Sequence, residues 1–198
     1  FVGSYLDHSR IDPRWRPLLE RLSEHPRIGV VIATDHYAEA TGKIIDYLTA
    51  WKIPAGKIGS LFSSRDKGAD AGILPESGIT TELPHRHPFF VANSADIGTW
   101  KEESSFWKIV KNQRFPAKIT KLLVIDDFGF NEEAGDRYGG ESEKIARRQE
   151  KTSASLLKVF QVKAEIVPFF IGEKEDYNDG DFARLITETA LRIDRFLE

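Results

Sequence analysis

The residues of this chain that could do chemistry gather behind three apolar stretches. Thr34-Asp35 follows Ile28-Gly29-Val30-Val31-Ile32-Ala33. Asn93-Ser94-Ala95-Asp96 follows Phe89-Phe90-Val91-Ala92, with Lys101 just downstream. Asp126-Asp127 closes Leu122-Leu123-Val124-Ile125. A hydroxyl, several carboxylates and an ammonium are therefore available to one polar ligand, if the fold brings the three ends together. Each also has a plainer use. Thr34 and Asp35 could cap the next helix, Lys101-Glu102-Glu103 could be a solvated helix start, and Asp126-Asp127 could form a turn. His85-x-His87 could place two imidazoles on one side of a strand. It lies between prolines with no obvious third ligand, so it reads as loop rather than metal site. Arg147-Arg148 with Lys151 reads as the solvated face of a helix.

The elements that must position these groups follow from periodicity. Residues 13–25 read as a helix, with Pro13 in its first turn and Leu18, Leu19 and Leu22 on one face. The run 28–33 reads as a strand buried on both faces. A helix at about 37–51 carries Tyr37, Ala40, Ile44 and Leu48, and Pro54 and Gly56 stop it. Residues 63–88, rich in Gly, Pro and Ser, read as a surface insertion or long loop. A strand at 89–92 precedes a helix at about 102–112 that turns Phe106, Trp107 and Val110 inward. The strand 122–125 precedes a helix at about 141–160, whose apolar side includes Ile145, Leu156, Leu157 and Phe160. A strand from Ala164 to Phe170 and a helix at about 180–197 complete the chain. Strands that alternate with helices and read apolar throughout predict an α/β fold: a doubly wound, mostly parallel sheet with helices on both faces. Ligands in such sheets sit beyond the carboxyl ends of the strands, which is where the three polar clusters fall.

Composition narrows the partners. The chain has 198 residues, which suits a single domain spanning 1–198. Its 28 basic and 31 acidic residues give no strong field for nucleic acid or an anionic membrane. No apolar run is long enough to cross a bilayer. There is no cysteine, which excludes disulfides, thiolate zinc sites and cysteine nucleophiles, and fits a reducing, cytoplasmic setting.

Three segments, in order, resemble the haloacid dehalogenase-like (HAD) hydrolase superfamily. Val30-Val31-Ile32-Ala33-Thr34 resembles its second motif, a strand ending in Thr or Ser. Ser94-Ala95-Asp96-Ile97-Gly98-Thr99-Trp100-Lys101, followed by Phe106, resembles the third, in which a lysine opens a helix after a Gly-containing loop. Leu122 to Asp127, then Phe128-Gly129-Phe130-Asn131, resembles the fourth: an apolar strand, paired aspartates and an asparagine. The resemblance spans roughly residues 14–135. It implies a Rossmann-type phosphatase that transfers a phosphoryl group from a small phosphorylated substrate to an aspartate, with Mg²⁺. It further implies that Thr34 and Lys101 are catalytic. Thr34, Asp35, Ser94 and Lys101 would bind substrate, Asp126 and Asp127 would hold the metal, and Asn131 would orient the loop.

The family's first motif, a strand ending in Asp-x-Asp that carries the nucleophile, has no clear match. Asp7 is the nearest candidate, but Ser9 stands where the second carboxylate belongs, and Gly3 and Ser4 weaken the strand. Since that strand lies centrally in the family's sheet, the expectation is that the amino-terminal part bearing it is missing from this sequence, which opens Phe1-Val2-Gly3. The alternatives are a catalytically inactive HAD-fold protein that binds a phosphorylated ligand or a protein partner, and an unrelated doubly wound binding domain.

Overall fold

The computed structural model describes residues 10–59, 86–115, 118–131, 141–171 and 179–198. It is an α/β protein with parallel strands. By internal contacts it divides into two compact units, one holding Leu19–Gly98 and the other Asp12–Leu18 with Thr99–Glu198. The described strands form two sheets rather than one, of three and two strands.

The first unit is built on β1 (Val31–Thr34), β2 (Ala55–Ile58) and β3 (Phe89–Asn93), ordered β1-β3-β2. Both pairings are parallel, and the register sets Thr34 beside Asn93 and Ile58 beside Ala92. The carboxyl ends of the strands are therefore level. The middle strand is the dry one: Phe89, Val91, Ala92 and Asn93 are all buried. It packs with helix α2 (Glu39–Ala50), which follows helix α1 (Arg16–Glu24) and contributes Ala40 and Leu48 to the same core. The carbonyls just past the end of α2 are met by Arg86, whose guanidinium donates to Trp51 O (3.2 Å) and Lys52 O (3.0 Å). A cation there satisfies orphan carbonyls and complements the helix dipole.

Sequence periodicity finds the main elements here, with two differences. It misses β2, because Gly56 and Lys57 interrupt any apolar run and only the pairing with β3 makes the segment a strand. Tyr37 is 52% exposed rather than core, because α2 begins after it, at Glu39.

The second unit carries β4 (Leu123–Asp126) and β5 (Glu165–Pro168), paired in parallel with Asp126 beside Pro168. After the one-turn helix α3 (Ser94–Ile97) of the first unit come α4 (Ser104–Arg114), α5 (Ser142–Phe160) and α6 (Asp179–Leu197). Helix α4 packs on α5, and Phe106, Trp107 and Val110 of α4 and Leu156 and Val159 of α5 are buried. Leu157, expected on the apolar side of α5, is 50% exposed. Lys111 reaches from α4 to Val159 O near the end of α5 (2.8 Å), and Lys121 reaches Phe196 O at the end of α6 (3.2 Å).

Strands β1 and β4 read as buried on both faces in the sequence. In the structure each pairs with one described strand only. Accordingly Val31, Ile32 and Ala33 are half-buried and Ile125 is 37% exposed.

The entry to α1 is a single 3₁₀ turn, Pro13–Trp15, clamped by polar and aromatic contacts. Asp12 accepts from the Arg14 backbone N–H (2.9 Å) and guanidinium (2.8 Å), and Arg14 also meets Asp179 at the start of α6 (2.9 Å). Arg14 lies over the Phe182 ring, and Trp15 and Phe182 both contact Phe169. The Arg14 hydrogen bond holds the Asp12 carboxyl below its ordinary range, against an opposing push from partial burial.

Two outcomes follow. Phe106→Ala should cost about 3–5 kcal/mol in chemical denaturation, since the ring is fully buried and leaves a cavity. Asp12→Asn should lower the thermal midpoint near neutrality. A depressed folded pKa gives stability present above the unfolded value of ~3.9 and lost as pH falls through the folded one. The gap between variant and wild type should therefore narrow below about pH 4. Thermal melts across pH would read it.

Candidate functional site

The two units carry the sequence-predicted residues separately. In the second unit, Lys101 and Asp126 are joined: Nζ lies 2.8 Å from Oδ2, with the side chains 21% and 14% exposed. Lys101 does not open helix α4, as the sequence predicts; it lies in the turn before it, and the helix starts at Ser104. That turn is held from two helices. The Trp107 indole N–H of α4 donates to Lys101 O (2.6 Å), and Ser155 Oγ of α5 donates to Glu102 O (2.8 Å). Lys151 of α5 adds an exposed ion pair with Glu102 (2.8 Å). Lysine is flexible, and these backbone ties limit where its ammonium can go.

Asp126 ends β4, and the segment after it folds back on its own carboxylates. Asp126 Oδ1 accepts from Phe128 N–H (2.8 Å). Asp127 Oδ1 accepts from Gly129 N–H (3.1 Å), and its Oδ2 from Asn131 N–H (3.3 Å). Phe128 and Gly129 both take positive φ, 51° and 83°. For glycine that is free; for phenylalanine it is a strained conformation. The Phe128 ring is buried and anchors the turn in the core.

Asn131 fastens this turn to the end of β5. Its Nδ2 donates to Phe169 O (3.1 Å), and its Oδ1 accepts from Ile171 N–H (2.8 Å). Phe169 N–H donates in turn to Asp126 O (3.0 Å), and Phe130 stacks on Phe170. One side-chain amide therefore continues the β4–β5 pairing past the last strand residue.

In the first unit, Thr34 ends β1, buried, beside Asn93 at the end of β3. Asp35 is half-buried and Ser94 is buried. Asn93 caps α3 by accepting from Ala95 N–H (3.1 Å), while its amide donates to Tyr37 O (2.9 Å) and Thr41 Oγ1 (3.1 Å). Asp96, one turn on, accepts from Thr41 Oγ1 and Lys57 Nζ, both at 2.6 Å. Thr41 and Lys57 are not singled out by the sequence. Thr41 lies in the first turn of α2 with no motif around it, and Lys57 sits on the strand that sequence reading misses. Asp7 and His85 lie outside the described residues.

Mg²⁺ can be tested against these groups. It needs only one or two carboxylates and otherwise keeps waters and phosphate oxygens. Asp126 fits: each of its oxygens accepts a single hydrogen bond and retains a lone pair. Asp127 meets the same count, with one hydrogen bond on each oxygen, but both come from the backbone of its own loop and turn the carboxylate toward it. Among the described residues no group of three or more His, Asp or Glu gathers as a ready metal cage.

Asn131→Ala should cost about 1–3 kcal/mol in urea denaturation, the range for leaving partly buried polar partners unmet, here Phe169 O and Ile171 N–H. Asn131→Asp should recover little, since a carboxylate cannot donate to Phe169 O.

No protein-family model matches this chain, and no curated protein or solved structure matches it either.

Proposed function

We propose that this chain is the core of a doubly wound, HAD-like hydrolase of the phosphatase type, working in the cytoplasm on a small phosphorylated molecule with Mg²⁺. The observation that carries this reading is the contact between Lys101 and Asp126, 25 residues apart and drawn from two separate motif resemblances. Phosphoryl transfer needs chiefly positioning and charge neutralisation. In this reading Lys101 neutralises the nucleophile and the transferring group, and Asp126 keeps the ammonium in place. Asp126 would also be the described carboxylate that holds Mg²⁺, with Asp127 supporting its loop; the bound ion would neutralise charge on the phosphoryl oxygens. The resemblance also assigns substrate binding to Thr34, Asp35 and Ser94, which belong to the first unit.

The nucleophile in this reading is an aspartate that the described residues do not supply. Its carboxylate attacks phosphorus and the ester oxygen leaves with a proton. Water then cleaves the aspartyl-phosphate to free phosphate. A second reading, a HAD-fold protein that binds a phosphorylated ligand without turnover, is favoured by one feature: both Asp127 oxygens are committed to backbone amides.

The test is hydrolysis of p-nitrophenyl phosphate by the full-length protein. Wild type should turn over with Mg²⁺ and stop with a chelator. Lys101→Ala and Asp126→Asn should each lose about 10²–10³-fold in kcat, the range for removing one group that stabilises transition-state charge. Equal rates in all three proteins would sink the site. No turnover, with phosphate still binding to wild type, would favour the second reading.

A further inference from the structure

A second cation reaches the Asp126 turn, and it comes from a different element. Arg148, on α5, donates from Nη1 to Phe128 O at 3.0 Å. The sequence places this arginine on a solvated helix face; the structure turns it onto backbone.

The acceptor is an unusual residue. Phe128 holds φ at 51°, a region that bulky side chains rarely occupy and that persists only where the surroundings enforce it. Its N–H is given to Asp126 Oδ1 (2.8 Å) and its carbonyl to Arg148. The backbone of Phe128 is thus tied on both sides. Without the carbonyl tie, relief of the strained φ rotates the preceding peptide and carries its N–H off Asp126 Oδ1. Asp126 then keeps Lys101 as its side-chain partner but loses the contact that fixes its own rotamer.

We infer that Arg148 is a positioning residue: by holding the Phe128 carbonyl it fixes the Asp126 carboxylate opposite Lys101. Arg148 sits 20 residues beyond the turn it controls, and it touches neither of the paired groups through the bond described. The kinetic half of this inference rests on the hydrolase reading; the structural half does not.

The experiment compares wild type, Arg148→Ala, Arg148→Lys and, as a control on the same helix, Lys144→Ala in the full-length protein. Amide hydrogen exchange is followed residue by residue by NMR, and kcat and KM are measured with p-nitrophenyl phosphate and Mg²⁺. In Arg148→Ala the Phe128 amide should exchange at least about 10-fold faster while Val124 and Val167, whose N–H groups face the partner strand in the β4–β5 ladder, stay unchanged, as local opening requires. In the same variant kcat should fall about 10–100-fold with little change in KM, the scale seen when a group supporting a first-contact residue is removed. Arg148→Lys should recover part of both, since an ammonium can still donate to a carbonyl, and Lys144→Ala should match wild type. Should Arg148→Ala fail to fold, Arg148→Met, which keeps the length but has no N–H donor, carries the same readings.

Unchanged exchange at Phe128 overturns the inference. So does faster exchange with wild-type kcat in an active protein. If wild type itself shows no turnover, the hydrolase reading falls alone, and the exchange measurement decides whether Arg148 holds the turn.

Discussion

A half-buried carboxylate with a donor on each oxygen governs the second unit. Asp126 takes the Lys101 ammonium on one oxygen and the Phe128 amide on the other, and its backbone carbonyl takes Phe169 N–H. Desolvating such a pair is costly, and its attraction offsets that cost only when geometry is good and the remaining valences are filled. The surrounding structure supplies the geometry. Trp107 and Ser155 fix the backbone that carries the lysine. Asn131 and Arg148 fix the turn that carries the aspartate. Helices α4 and α5 and strands β4 and β5 therefore all reach one ion pair, by bonds that each end on backbone rather than on the charges themselves.

The first unit solves a related problem differently. Its polar residues stand at the level ends of three strands, where the register puts Thr34 against Asn93. The buried amide of Asn93 bonds a loop carbonyl, a helix hydroxyl and the first amide of α3. Asp96 then takes both Thr41 and Lys57. The result is a closed polar network in which every described buried side-chain polar atom has a partner.

Much of the architecture can be read from the sequence, because long amphipathic helices and apolar runs carry their own period. Helix α5 is expected at 141–160 and observed at Ser142–Phe160; the strand ending in Asp126 is shifted by one residue. The losses have physical causes. Strand β2 has no period of its own, and its identity comes from β3. Tyr37 and Leu157 keep helical spacing but fall where no neighbour covers them. The polar clusters at strand ends can be read as candidates, and Lys101 and Asp126 can be paired by resemblance. What cannot be read is the side-chain bonding to backbone. Nothing in Phe128-Gly129-Phe130-Asn131 announces a left-handed phenylalanine, and nothing in Arg147-Arg148 tells which arginine turns inward.

The borrowed helix ends have a further consequence, in how the chain assembles. Helix α5 ends at Phe160, and one of its final carbonyls, at Val159, is met by Lys111 of α4. Just past the end of α2, the carbonyls of Trp51 and Lys52 wait for Arg86, more than thirty residues on. An isolated helix has to begin with an unfavourable nucleus and end with frayed carbonyls. Here local backbone bonds close part of each end, and the arriving element supplies the rest. Growth of the last turn and docking of its neighbour become a single event, so a partly assembled chain gains little and the transition to the folded state is pushed toward all-or-none.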